Sequence, residues 1–336
     1  MDSNKSLYSK EQILKLIKIR TNRSDIKLPG KVDFQILQNT LFVKINTPET
    51  NMQTDDAAFE GWVLPIKVLL SDIVAHVELD YSSCTHNVYD RLGKPKGCHF
   101  NRFLYRVNNF SRLFPSWFNV APSKENEIFQ FIHWLRESDC ILNHPLRDRT
   151  SVFNTTNNME RNIESWFRFH DGQRLICDLW GIDNRKLFNQ LPAGLFLKTI
   201  LAEKAIFTRA NAAVDLGGLS TDGSTLHLIE LKCGENKGMG VISEILFYTF
   251  LFFDTCILKD RYFKFGKYKN ASQTIEMEII QNEGIRNLSS HILAECYHPL
   301  FSSEMLSLLK DSLQELGISF SRAQYNFEKK VIISDL

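Results

Sequence analysis

The chain has no Cys-x-x-C pair, no excess of one charge, no low-complexity tract and no long uninterrupted apolar run. Each absence removes a class. Seven scattered cysteines, an odd number, argue against a disulfide framework and for a reducing compartment. Forty Lys and Arg against 39 Asp and Glu leave a net charge of +1, so any contact with nucleic acid must come from a local basic patch. The most apolar stretch, ILFYTFLFF at 245–253, is nine residues long, whereas a membrane-spanning helix needs about 20. The first 20 residues lack the apolar centre of a secretory signal. A cytoplasmic protein without a membrane partner is expected.

What is present is an ordinary globular mix, with 43% apolar and 24% charged residues over 336 positions. That length suits one large domain or two ordinary ones. The spacing predicts a short helix over 8–20, strands over 33–46 and 73–82, and a helix over 124–137. Residues 144–158 are polar and rich in Asn, so a boundary is expected there. It separates an α+β N-terminal domain, 1–150, from a second domain, 151–336. In the second domain the pattern predicts a helix over 184–204, interrupted by Pro192, and extended chain over 205–219. A turn at Asp222-Gly223 leads to a strand over 225–232. An apolar helix over 240–253, a strand over 291–297, a helix over 302–315 and a strand over 318–327 follow. The fold class expected is α/β, a mixed central sheet flanked by helices.

Three charges stand out in the apolar runs AVDLGGLS and TLHLIELK. Alternation puts Glu230 and Lys232 on one face of their strand, and the hairpin returns Asp215 beside them. Two carboxylates facing one point suit a hard cation such as Mg²⁺. A neighbouring ammonium suits the charge that develops on a phosphoryl group. Acid-x-base triplets are common; Asp25-Ile26-Lys27 is another here, without the strand, turn and strand that precede Lys232. The next helix adds one carboxylate, Glu244, on an otherwise apolar surface, with Tyr248 one turn on. Glu244 is expected either to face a cation or Lys232, or to sit in a partly solvated first helical turn.

The array of Asp215, Glu230-Leu231-Lys232 and a helix bearing Glu244-Ile245-Leu246-Phe247-Tyr248 resembles the PD-(D/E)XK nuclease superfamily, over about residues 184–300. Val214 stands where the motif has proline, and Glu244 where part of the superfamily has glutamine. The resemblance implies a restriction-endonuclease-like core and a metal-dependent endonuclease, of a kind that serves in restriction or defence. Asp215 and Glu230 would hold Mg²⁺, or Mn²⁺ in its place, and Lys232 would position or activate water. It also implies a glutamate from the helix ahead of the sheet, for which Glu203 is the candidate.

Residues 91–113 carry six basic residues, no acid and interleaved aromatics. Lys94, Lys96, Arg102 and Arg106 are therefore candidate nucleic-acid contacts, with DNA favoured over RNA. The bland reading is a solvated basic face over an aromatic core. Cys84, His86, Cys98 and His99 lack a regular zinc spacing. Homo-oligomerisation and a role for the first 150 residues in recognition stay open. The rival reading is a non-catalytic module that keeps the nuclease fold and binds nucleic acid or protein.

Overall fold

A computed structural model describes residues 7–142, 159–207, 212–234, 238–266 and 284–334. The chain is mixed α/β, with mixed sheets and helices. It divides into two compact units, each assembled from separated stretches. Unit 1 is Met1–Trp134, Gly238–Glu244 and His298–Ser312; unit 2 is Leu135–Lys237, Ile245–Tyr297 and Leu313–Leu336. The expected boundary at 150 falls within 143–158, outside the described residues.

Unit 1 holds a five-stranded sheet in the order β1-β2-β3-β4-β5. Its strands are Leu7–Tyr8, Val32–Leu37, Thr40–Ile45, His76–Tyr81 and Phe118–Val120. The run 33–46, expected as one strand, is the hairpin β2–β3, because Gln38 takes a left-handed φ of 59° and reverses the chain. Alternation then turns Val32, Phe34 and Ile36 inward, with polar residues between them. The helices are α1 (Lys10–Thr21), α2 (Phe59–Leu69), α3 (Val88–Arg91), α4 (Pro95–Leu113) and α5 (Pro122–Glu137).

Helix α4 corrects the expected basic surface. Phe100, Phe103, Leu104, Val107 and Phe110 form its apolar side, but Arg102 and Arg106 are buried with them. Arg106 Nε donates to Glu60 Oε1 at 2.8 Å, and its Nη2 donates to Glu60 Oε2 and to the Ala57 carbonyl. Ser243 Oγ donates to the same carboxylate at 2.6 Å. Arg102 Nη2 donates to Asn51 Oδ1 at 3.0 Å. A buried guanidinium needs such partners, because an unpaired charge in the interior is costly.

Unit 2 is built on a six-stranded sheet, β14-β13-β12-β10-β9-β7. Strand β7 is Ile182–Pro192, β9 Ala213–Ser220, β10 Thr225–Lys232, β12 Asn287–Ala294, β13 Ile318–Asn326 and β14 Val331–Ser334. The pairs β7–β9, β9–β10 and β13–β14 are antiparallel, whereas β10–β12 and β12–β13 are parallel. Parallel neighbours need crossovers. Helix α8 (Gly240–Phe252) lies between β10 and β12 in sequence, and α9 (Ser303–Glu315) between β12 and β13. Helices α6 (Met159–Phe169) and α7 (Asp171–Trp180) precede the sheet and pack Ile163, Trp166, Phe167 and Ile176 against Leu187, Leu216, Ile229 and Leu231. A small sheet joins β6 (Cys140–Leu142), β8 (Leu195–Leu197) and β11 (Lys264–Phe265).

The helix expected over 184–204 is instead β7, β8 and a 3₁₀ turn at Ala202–Lys204. Leu187, Phe188 and Leu191 have helical spacing, but pairing with β9 decides their conformation. Gly217 makes that pairing fit, since a Cβ there would lie 2.4 Å from the Phe188 ring. The β9–β10 turn falls at Asp222-Gly223, where Gly223 has φ 72° and Asp222 accepts from Ser224 N at 3.0 Å. The stretch Gly240–Ile257 has the length and hydropathy of a membrane span, and 94% of it is buried inside the protein.

Arg106→Ala should leave the Glu60 carboxylate buried without its main cation, a loss of about 3 kcal/mol. The double change E60L/R106M should recover most of it, read from urea unfolding midpoints. A single variant as stable as wild type would contradict this account of the unit 1 interior.

Candidate metal and active site

The site is set by the register of β9 against β10. The ladder runs from Leu226↔Leu219 to Ile229↔Leu216. One step further along the same register sets Asp215 across from Glu230, and cross-strand neighbours share a face. Asp215 Oδ2 accepts from the Leu231 backbone N–H at 2.8 Å, so the side chain takes over as the backbone ladder ends. Lys232 Nζ donates to Glu230 Oε1 at 2.9 Å, with side-chain exposures of 12% and 3%. Asp215, Glu230 and Lys232 are thus brought to one end of the hairpin.

On its other side β9 pairs with β7, with Asn189↔Leu216 and Leu191↔Val214 in register. Gln190 therefore falls across from Asp215, and its backbone is left-handed with φ 54°. Its Nε2 donates to both carboxylate oxygens of Glu164, at 3.2 and 3.1 Å. Glu164 comes from α6, where Glu160 stands one turn earlier. Carboxylate oxygens of Glu160, Glu164 and Asp215 lie within 4.8 Å of one another, from one exposed, one buried and one half-buried residue. Burial first, and the Asp215 carboxylate second, push the Glu164 pKa up to about 8, while the Gln190 hydrogen bond acts the other way.

Three hard oxygen donors crowded together, with one of them open to water, match what Mg²⁺ or Mn²⁺ requires. A cation would offset the burial and, second to it, the Asp215 repulsion that together favour the protonated form of Glu164. The donor set therefore fits a divalent ion. Its membership differs from the sequence reading in part. Asp215 belongs to the cluster, but Glu230, expected as the second ligand, has Oε1 engaged by Lys232.

Glu203 does not lie on an α-helix ahead of the sheet. That residue is exposed on the 3₁₀ turn, because the helix expected around it does not form. Glu160 and Glu164 occupy the place ahead of the sheet. Their four-residue spacing on an amphipathic helix was the available signal, with Ile163, Trp166 and Phe167 buried. Glu244 is 1% exposed in α8, and its Oε1 accepts from Gln53 Nε2. The alternative expectation for Glu244, a partly solvated first turn, is thus corrected to a buried position. Tyr248 is buried beside Phe247, with ring centroids 5.4 Å apart. Of the basic candidates, Lys94 and Lys96 are exposed, while Arg102 and Arg106 point inward and are unavailable to phosphates.

No protein-family model matches the chain, and no curated protein matches it.

The Glu164 carboxyl holds its proton more tightly in the fold than in the unfolded chain. Its contribution to stability is complete below the ordinary Glu pKa and is lost as pH rises towards about 8. Between pH 5 and 8 the metal-free protein should lose about 3 kcal/mol more stability than Glu164→Gln. Urea midpoints across that range check it; equal slopes for both proteins would contradict a perturbed Glu164.

Proposed function

We propose that the chain is a metal-dependent nuclease of the PD-(D/E)XK type, hydrolysing phosphodiester bonds, with DNA as the favoured substrate. The observation that carries this reading is Asp215 across from Glu230, with Lys232 2.9 Å from Glu230 and two helical glutamates gathered around Asp215. The order of helices, three antiparallel strands, helix and parallel strand supports a restriction-endonuclease-like core.

Asp215 and Glu164 would hold the ion, with Glu160 at the open side and Glu230 across the strand. Bound Mg²⁺ supplies charge neutralisation at the phosphate and orientation of water. Glu230 holds the Lys232 ammonium in place, and that ammonium offers N–H donors to the incoming water or to a phosphate oxygen. In hydrolysis the water oxygen bonds to phosphorus and the P–O bond to the leaving sugar oxygen breaks. A water proton finishes on the leaving oxygen or in solvent. As negative charge grows on the phosphoryl oxygens, a fixed ammonium in a poorly solvated setting stabilises it more than bulk water does.

A second reading rests on the same Glu230–Lys232 pair, which is also what a buried structural ion pair looks like. On it the chain is a nuclease-fold module that binds nucleic acid or protein without cutting.

Incubation of plasmid and single-stranded DNA with Mg²⁺ separates the two. Wild type should cleave, and Lys232→Ala should cleave about 10²- to 10³-fold more slowly. Asp215→Asn should be equally impaired. Undiminished cleavage by Lys232→Ala would overturn the mechanism. Binding without cleavage by wild type would favour the module.

A further inference from the structure

We infer that Gln190 is a positioning residue for the metal site, holding the Glu164 carboxylate where it can share a cation with Asp215. This rests on the reading of Glu164 and Asp215 as ligands. Three observations converge on it. First, Gln190 occupies the ladder position across from Asp215, between Asn189↔Leu216 and Leu191↔Val214. Second, its amide nitrogen reaches both oxygens of Glu164, at 3.2 and 3.1 Å. Third, its backbone is left-handed within a β-strand, with φ 54°, a conformation that side-chain-bearing residues rarely adopt.

The geometry explains why an amide belongs there. Two carboxylates that approach within 4.8 Å repel when ionised, and an unrestrained Glu164 would rotate away from Asp215. A lysine would hold Glu164 in place, but it would bring a positive charge to a cation site. An uncharged donor restrains the carboxylate without that cost, and each carboxylate oxygen keeps a further lone pair for a metal. The left-handed backbone is unfavourable on its own account, and such strain persists where the surroundings fix it, commonly at functional sites.

Removing outer groups that orient metal ligands typically weakens metal affinity 10- to 100-fold. Calorimetric titration with Mg²⁺ and Mn²⁺ should therefore show at least about tenfold weaker binding for Gln190→Ala and Gln190→Gly alike. Glycine accepts the left-handed φ without strain, so Gln190→Gly should have a melting temperature at or above that of Gln190→Ala. A purely structural role would leave metal affinity in the folded glycine variant unchanged. Wild-type affinity in Gln190→Gly, with loss in Asp215→Asn and Glu164→Gln, would overturn the inference and leave the metal site standing. Absence of Mg²⁺ and Mn²⁺ binding in wild type would overturn both.

Discussion

Glu160, Glu164 and Asp215 bring their carboxylate oxygens within 4.8 Å of one another where α6 meets β9, and that crowding is the constraint this end of unit 2 must satisfy. Like charges at that separation cost several kcal/mol in a poorly solvated setting unless a proton or a cation intervenes. The fold nevertheless brings them together from two different elements. Helix α6 buries Ile163, Trp166 and Phe167 in the core of unit 2 and carries Glu164 within reach of Asp215. Strand β7 contributes Gln190 in a left-handed conformation to hold that carboxylate. Strand β10 contributes Glu230, one ladder step past Ile229 and so across from Asp215, with Lys232 bonded to it. Interactions that oppose folding and recur at one point are what a functional site requires.

Unit 1 handles buried charge differently. The Arg106 guanidinium, the Glu60 carboxylate and the Ser243 hydroxyl satisfy one another, and no open donor set results. Glu244 is likewise hydrogen-bonded by Gln53. The two units thus differ in kind: an ion pair closes on itself in unit 1, whereas three carboxylates gather in unit 2. This distinction is the ground on which a metal site is proposed at the end of β9 and not on α4.

Local features of the site were legible in the sequence. Asp222-Gly223 fixes a tight turn, and a tight turn fixes which residues of β9 and β10 face each other, so Asp215, Glu230 and Lys232 can be grouped in advance. The apolar helix α8 follows from composition alone. What escaped depends on distant partners. Leu187, Phe188 and Leu191 fit a helix by spacing and become strand by pairing with β9, where Gly217 leaves room for Phe188. Without that helix Glu203 falls on an exposed 3₁₀ turn, and the glutamate that reaches Asp215 from a helix is Glu164, 51 residues earlier. Arg102 and Arg106 looked like a basic surface because Asn51 and Glu60, which receive them, lie 51 and 46 residues upstream.

The central claim is that the carboxylates of Asp215 and Glu164 form one cation site. Anomalous diffraction from crystals soaked in Mn²⁺ tests it most directly. A peak between the two carboxylates, lost in crystals of Glu164→Gln, is the expected result. No peak there at a saturating Mn²⁺ concentration, or one unaffected by that substitution, would contradict the account.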